Sequence, residues 1–336
     1  MTDRKPLRSP LRDGFCAFLK GDMKLKRRIS AALTLLCAAS MLLSGCNSDS
    51  DKPSATESGS NAATTEKDNA DAAANGDKFS VTKGNGSGGN SGTVTLEKGD
   101  TYAVISIENY GDIKVKLYPE EVPYGVQNFI DLANSGYYSG KSVHRVIDGF
   151  MMQGGSLNGD GTGGTAADGG EFSCEINTDM RHYYGALCYA NAGGSNTCQF
   201  YIVNNKEPQS EISTMYDQYA NYYSQYGNAF KQEAEKYDKG SDYYNAYMTN
   251  GEAYTNMANG VSAMSETLTD EIFAKYAEVG GTPFLDGGYT VFGQTVEGFE
   301  VIDAISKVKT EIGSDGAESQ PVDNIIIASV AIYTVE

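Results

Sequence analysis

The chain has 336 residues, with 26 Lys or Arg against 44 Asp or Glu, so its formal net charge is −18. A surface that acidic lacks the basic face a nucleic-acid binder uses to displace counterions, and no nucleic acid is expected as a partner. Hydrophobic residues at 40% and charged residues at 21% suit a globular protein, whereas 39 Gly and 23 Tyr beside no Trp imply many turns and broad aromatic surfaces.

Charge is uneven along the chain. Residues 1 to 46 hold 9 basic and 3 acidic side chains, so the acidity belongs to residues 47 to 336. Met23 is the expected start. It opens the basic run Lys24-Leu25-Lys26-Arg27-Arg28, then the apolar run Ile29 to Leu43, then Leu43-Ser44-Gly45-Cys46. A basic region, an apolar region and a small-residue site in that order form a secretory signal, and the apolar run falls short of the roughly 20 residues that span a bilayer. Its end resembles the lipobox of bacterial lipoproteins. That resemblance implies lipidation of Cys46 and an exported protein anchored to the extracytoplasmic face of the bacterial cell membrane.

From Asn47 to about Gly99 the chain is mostly Ser, Ala, Asn, Asp, Thr and Gly. Such a composition cannot bury enough surface to offset chain entropy, so residues 47 to 99 are expected to be a disordered linker. About 50 residues of it would reach roughly 35 to 42 Å.

The folded body is expected from residue 100 to 336. Tyr102 to Glu108 and Ile113 to Tyr118 alternate apolar and polar residues around Asn109-Tyr110-Gly111-Asp112, which predicts a β-hairpin. Pro123 opens an amphipathic helix with Val126, Phe129, Ile130 and Ala133 on one face and Gly136 as its stop. Short strands are predicted at Ser142 to Ile147, Phe150 to Gln153, Gly185 to Ala190, Gln199 to Val203, Tyr289 to Val296 and Asn324 to Val335. A second helix is predicted over Phe299 to Val308. Many short strands and two helices suggest a mainly all-β fold, a closed antiparallel barrel whose ends the helices cover.

One segment breaks that pattern. Residues 207 to 281 hold 11 Tyr, 12 acidic residues and only 4 Lys. Tyr216, Tyr219, Tyr223 and Tyr226 recur at helical spacing, and Thr267 with Asp270 could box a helix start, so a helical subdomain inserted between two strands is expected. The Tyr stripe reads first as packing surface and second as a surface that selects clients.

Three Cys remain in the body, Cys174, Cys188 and Cys198. An odd count permits at most one disulfide; small buried thiols are the simpler reading, and Cys188 with Cys198 is the pair to test. Asn158 to Gly164 starts like a calcium loop, but position 12 would be Gly169 instead of the required Glu, so a Gly-rich turn is expected and no metal. Two His in the chain argue against a zinc centre. His144 reads as a structural hydrogen-bonder, and His182 has no partner that the sequence reveals.

Three segments concentrate unusual chemistry. They are His144-Arg145-Val146-Ile147-Asp148-Gly149-Phe150-Met151-Met152-Gln153-Gly154-Gly155, then Ala190-Asn191-Ala192-Gly193 followed by Gln199-Phe200-Tyr201-Ile202, then Phe284-Leu285-Asp286-Gly287-Gly288-Tyr289-Thr290-Val291-Phe292-Gly293. All three, in this order, resemble the cyclophilin family of peptidyl-prolyl cis/trans isomerases, over about Tyr102 to Tyr333 apart from the insertion. The resemblance implies an eight-stranded barrel, no cofactor, and clients that are proline-containing polypeptides. It makes Arg145 the catalytic arginine and places Phe150, Met151 and Leu285 in a proline pocket. Gln153, Ala190, Asn191 and Gln199 would line the groove and hold the substrate backbone.

Several positions depart from the family. Tyr201 stands where Phe is usual, Phe284 where many members have Trp, and Tyr289 where many have His; all three keep aromatic mass beside the groove. Asp148 stands where Pro is usual, and the stretch from Asn191 to Gln199 is one residue shorter than in eukaryotic members.

The chemistry fits those residue types without the name. Rotation about an X-Pro bond is slowed by amide resonance, with an activation energy near 20 kcal/mol. A catalyst needs an apolar slot for the ring and a donor that favours the twisted amide. Turnover of about 1 to 1,000 s⁻¹ means removing roughly 3 to 7 kcal/mol. One aimed charged donor in a desolvated site supplies about 3 to 4 kcal/mol of that, and positioning must supply the remainder. The expected function is therefore a monomeric prolyl isomerase assisting exported proteins at the cell envelope. The alternative is a non-catalytic peptide-binding module or holdase chaperone working through the insertion.

Overall fold

Backbone pairing, more than side-chain burial, makes the first strand. Phe79–Thr82 (β1) lies inside the stretch expected to be a linker, yet it pairs in parallel with the later strand Phe172–Asn177. Asn90, also in that stretch, is buried and donates to Arg181 O at 2.8 Å and Gln294 Oε1 at 3.0 Å. The linker therefore does not run to Gly99. A polar sequence is held there by an open sheet edge that supplies the hydrogen bonds its own side chains cannot replace. The structure, a computed structural model, describes residues 79–84, 89–92, 94–191 and 194–336. Cys46, the signal region and the linker up to residue 78 lie outside the described residues.

The predicted hairpin is Thr101–Ile107 (β2) and Gly111–Leu117 (β3). Ala103, Ile105 and Ile107 alternate inward opposite Ile113, Val115 and Leu117, the period-2 burial of a half-buried sheet. Asn109 takes the left-handed conformation that closes the turn, with φ 65°. Pro123–Asn134 (α1) comes next, with Pro at its first turn, and buries Val126, Phe129, Leu132 and Ala133. Phe129 meets the rings of Tyr138, Phe200 and Phe292 at 5.2 to 5.8 Å, which centres the core. Ile130, expected inward, is only half-buried, and Leu132 takes that place.

The remaining strands are Val143–Ile147 (β4), Met151–Gly154 (β5), Phe172–Asn177 (β6), Ala186–Asn191 (β7), Ser195–Val203 (β8), Val291–Glu297 (β9), Thr310–Ile312 (β10), Glu318–Pro321 (β11) and Ile327–Thr334 (β12). One ten-stranded sheet runs β1-β6-β8-β7-β9-β3-β2-β12, with β5 also on β8 and β4 on β5. β10 and β11 form a separate pair. The sheet is mixed, because β1 with β6 is parallel while the other pairs are antiparallel. The expected barrel would join β4 to β12. Those strands meet through an isolated bridge, Ser142 to Ile326, and not through a ladder.

Five helices are described where two were expected for the caps. Beside α1 and Phe299–Ser306 (α5), residues 207 to 281 contain Ile212–Ala234 (α2), Asp242–Ser265 (α3) and Asp270–Val279 (α4). α2 and α3 form an antiparallel hairpin that closes where Gly227 meets Gly251. A Cβ on either would sit 3.0 Å from the other's carbonyl oxygen. The start of α4 is capped by Thr269, which accepts from Ile272 N at 3.3 Å, and not by Thr267 as expected. Thr267 is occupied elsewhere, accepting from Arg181 Nη2 and donating to Met264 O.

Candidate functional site

Register brings the first site residues together. Across three antiparallel strands Arg145 on β4 faces Gln153 on β5, which faces Tyr201 on β8. Directly opposed residues share a face, and residues two apart share it too. That rule adds Met151 on one side of Gln153 and Gln199 on one side of Tyr201. Phe150, in the turn leading into β5, completes the hairpin's contribution.

Arg145 lies over this surface with its side chain 18% exposed. Its guanidinium carbon is 6.0 Å from the centre of the Phe150 ring. Nη1 is 3.4 Å from Gln153 Oε1 and 3.7 Å from Met151 Sδ. Nε donates to Asp315 Oδ2 at 2.8 Å. Nη2 makes no hydrogen bond among the described residues. Gln153 Nε2 donates to Gln199 Oε1 at 3.1 Å, and Gln199 Nε2 donates to Gly161 O at 3.0 Å. The Asn158 to Gly164 turn thus serves the groove; Asp160 accepts from the Thr162 amide and hydroxyl. Among the described residues no group of His, Cys, Asp or Glu could hold a metal ion.

The opposite wall comes from the segment after the insertion. Pro283–Leu285 is a 3-10 turn that buries Leu285 and stacks Phe284 on Phe150, centroids 5.8 Å apart. Tyr289 meets Tyr201 edge-on at 6.3 Å. Ala190 and Asn191 end β7, half-buried, and Asn191 Nδ2 donates to Gly288 O at 3.4 Å. Of the expected groove residues, Phe284 thus meets Phe150 and Tyr289 meets Tyr201, while Ala190 and Asn191 stand at the end of β7. Cys46 alone lies outside the described residues. Cys174, Cys188 and Cys198 are buried free thiols, so the tested Cys188 to Cys198 pair does not form.

Several residues of the site escape sequence reasoning. Asp315, in the turn between β10 and β11, holds Arg145 and itself accepts from the Ala317 amide at 3.0 Å and the Ser319 hydroxyl at 2.8 Å. Burial works against its charge, but the Arg145 bond and these donors outweigh it and keep Asp315 below the usual carboxylate range. The only signal was the Ser-Asp-Gly turn. His144 bonds Ser156 Oγ at 3.3 Å, and burial, then the neighbouring Arg145 charge, pushes it down to about 4. It is neutral near pH 7, leaving Arg145 as the cation of this wall. His182, without a partner in the sequence, sits fully buried between Asp286 and Tyr201. Tyr219 of α2 stacks on the far side of Phe284 at 5.6 Å.

The geometry is a mostly buried cation beside the Phe150 ring and Met151, flanked by the amide side chains of Gln153 and Gln199. The family model for cyclophilin type peptidyl-prolyl cis-trans isomerase/CLD matches the chain in two segments, residues 102–220 and 212–332. A Staphylococcus haemolyticus protein named "Putative peptidyl-prolyl cis-trans isomerase" is 32% identical over 226 residues, covering 67% of this chain and 87% of that one. A Staphylococcus saprophyticus protein of the same name is 32% identical over 236 residues, covering 70% and 93%. Among solved structures, a Cryptosporidium parvum cyclophilin type peptidyl-prolyl cis-trans isomerase with the dipeptide Ala-Pro is similar at 22% identity and a TM-score of 0.44, covering 69% of this chain and 99% of that one.

Proposed function

The chain belongs to the cyclophilin-type peptidyl-prolyl cis-trans isomerases, and from that premise we propose that Arg145 is its catalytic residue and that Phe150, Met151, Leu285 and Tyr201 form the slot for the proline ring. Its substrates are proline-containing polypeptides. Gln153, Ala190, Asn191 and Gln199 hold the peptide backbone, and Phe284 and Tyr289 flank it. The observation that carries this reading is the placement of Arg145, within 6.0 Å of the Phe150 ring and beside Met151 and Gln153.

In the twisted amide the nitrogen lone pair has left conjugation and accepts a hydrogen bond that the planar amide cannot. A donor held there favours the transition state over both ground states, which is what raises turnover. Asp315 and Gln153 occupy Nε and Nη1, so Nη2 is the donor available to that nitrogen. Losing one such donor costs about 100 to 1,000-fold. Arg145→Ala is expected to lower kcat/KM on a short proline peptide by about 100-fold, with wild type well above the uncatalysed rate. Wild-type and variant rates both at background would refute the assignment.

We infer further that the enzyme is exported and lipid-anchored through Cys46 on the extracytoplasmic face of the membrane, where it assists folding of exported proteins as a monomer. The support is the order of basic run, apolar run and Leu-Ser-Gly-Cys. Mass spectrometry of the native N-terminus is expected to find an acylated Cys46; an unmodified Cys46 contradicts it. The eight antiparallel strands β4-β5-β8-β7-β9-β3-β2-β12 are read as a barrel closed at Ser142 and Ile326. Three backbone bonds support this, Gly140 N to Ile327 O, Val143 N to Ile325 O and Ile327 N to Lys141 O, each 2.8 Å. Residues 207 to 281 are then an insertion between β8 and β9.

A further inference from the structure

Tyr201 puts a hydroxyl into an apolar slot where the family usually has Phe. A buried hydroxyl without a partner is costly, so its partner is informative. The Tyr201 oxygen lies 2.9 Å from His182 Nε2, and His182 Nδ1 lies 2.7 Å from Asp286 Oδ1. A carboxylate only accepts, so Nδ1 carries the proton facing it; Nε2 and the Tyr201 hydroxyl share the second bond, and the Cys188 side chain is a further partner of that hydroxyl. Asp286 comes directly after the slot residue Leu285 and is completely buried. Its Oδ1 also accepts from the His182 amide at 2.8 Å, and its Oδ2 accepts from the hydroxyls of Tyr216 on α2 and Tyr276 on α4.

Two insertion helices thus converge on one carboxylate between two slot residues. α3 packs on the same loop at Gly260, where a Cβ would lie 1.9 Å from Gly287 O. We propose that Tyr216 and Tyr276 are positioning residues for isomerisation: their hydroxyls hold Asp286, which fixes Leu285 directly and Tyr201 through His182, so the insertion sets the width of the proline slot. This rests on the reading of Leu285 and Tyr201 as slot residues. The Tyr201 departure and the insertion then have one explanation. A slot residue with a hydroxyl is tolerated because the insertion completes the network that satisfies it. A buried carboxylate that loses a donor relieves itself by moving, and the loop carrying Leu285 moves with it.

The test is steady-state kinetics of the full chain on a short proline peptide, with Tyr276→Phe and Tyr216→Phe each removing one hydroxyl and no ring. A slot of the wrong width weakens ground and transition states alike. KM is therefore expected to rise about 5 to 10-fold with kcat within about 2-fold. In a Tyr201→Phe background, where the path ends, Tyr276→Phe is expected to raise KM by no more than about 2-fold. A merely structural role would lower the thermal midpoint and the folded fraction, reducing apparent kcat and leaving KM alone. KM unmoved in both single variants, with wild type active and Arg145→Ala inactive, overturns this inference while the assignment of Arg145 stands. An inactive wild type overturns both.

Discussion

Asp315 fixes one edge of the Arg145 guanidinium. Arg145 reaches it across 170 residues of sequence, and the pair is mostly shielded, with side chains 18% and 10% exposed. Two effects compete. The carboxylate dampens the field of the guanidinium, which would slow the reaction, and it fixes the fork, which would speed it. A misplacement near 1 Å can cost about 100-fold, whereas a partly solvated charge pair is worth on the order of 1 kcal/mol, so orientation wins. Asp315→Asn keeps an acceptor for Nε and is expected to hold kcat within about 3-fold; Asp315→Ala removes it and is expected to lower kcat about 10-fold or more with KM little changed. Equal kcat in the alanine variant and wild type would contradict this. The folded pKa of Asp315 is depressed, so the pair is intact above its unfolded value near pH 4 and is lost as pH falls through the lower folded value. At this scale the sequence shows Arg145, Phe150, Met151 and Gln153 because they share one short hairpin. It cannot show Asp315 or the His182 to Asp286 contact, which only the closed fold brings together.

Among the elements, β6 carries an uncommon burden. It is buried throughout yet contains Ser173, Glu175 and Asn177. Glu175 accepts from Tyr124 N at 3.3 Å and Gly125 N at 2.6 Å, which places a carboxylate at the N-terminus of α1. Burial still dominates and raises Glu175 to about 7. A carboxyl with a raised folded pKa holds its proton longer in the native state, so stability is lost as pH rises from its unfolded value near 4.3 to about 7. The thermal midpoint is expected to be higher at pH 5.5 than at pH 8, and Glu175→Gln is expected to flatten that difference. An unchanged difference in the variant would show that other groups produce it. β6 alternates Phe172, Cys174 and Ile176 with Ser173, Glu175 and Asn177, so the sequence carries a period-2 signal there although no strand is among those predicted; what the sequence does not show is that both faces are buried. β1 is hidden for a different reason, since Phe79-Ser80-Val81-Thr82 is a four-residue run inside a polar stretch, and it is ordered by pairing with β6. By contrast β2, β3, α1 and α5 bury one clean face each and were legible within a few residues.

For the whole molecule, the helices of residues 207 to 281 are fastened to the loop carrying Phe284 and Asp286 instead of hanging beside it. Phe150, Phe284 and Tyr219 stack in series from β-hairpin to α2, and Asp286 joins α2 and α4 to the loop after Leu285. Composition and Tyr spacing pointed to helices in residues 207 to 281, where α2, α3 and α4 lie, but not to Tyr216 and Tyr276 facing inward onto a charge. The deletion of residues 207 to 281 would therefore uncover Asp286 and the outer face of Phe284 together. What unites these parts is the claim that a guanidinium fixed over an apolar notch eases rotation about an X-Pro bond. Exchange spectroscopy on a proline peptide at equilibrium reads that rotation directly, with no coupled reaction. A catalytic amount of the full chain is expected to bring cis and trans resonances into exchange far faster than the uncatalysed 10 to 100 s, and Arg145→Ala is expected to abolish most of that gain. Exchange at the uncatalysed rate with wild type, or an equal gain with Arg145→Ala, would contradict it.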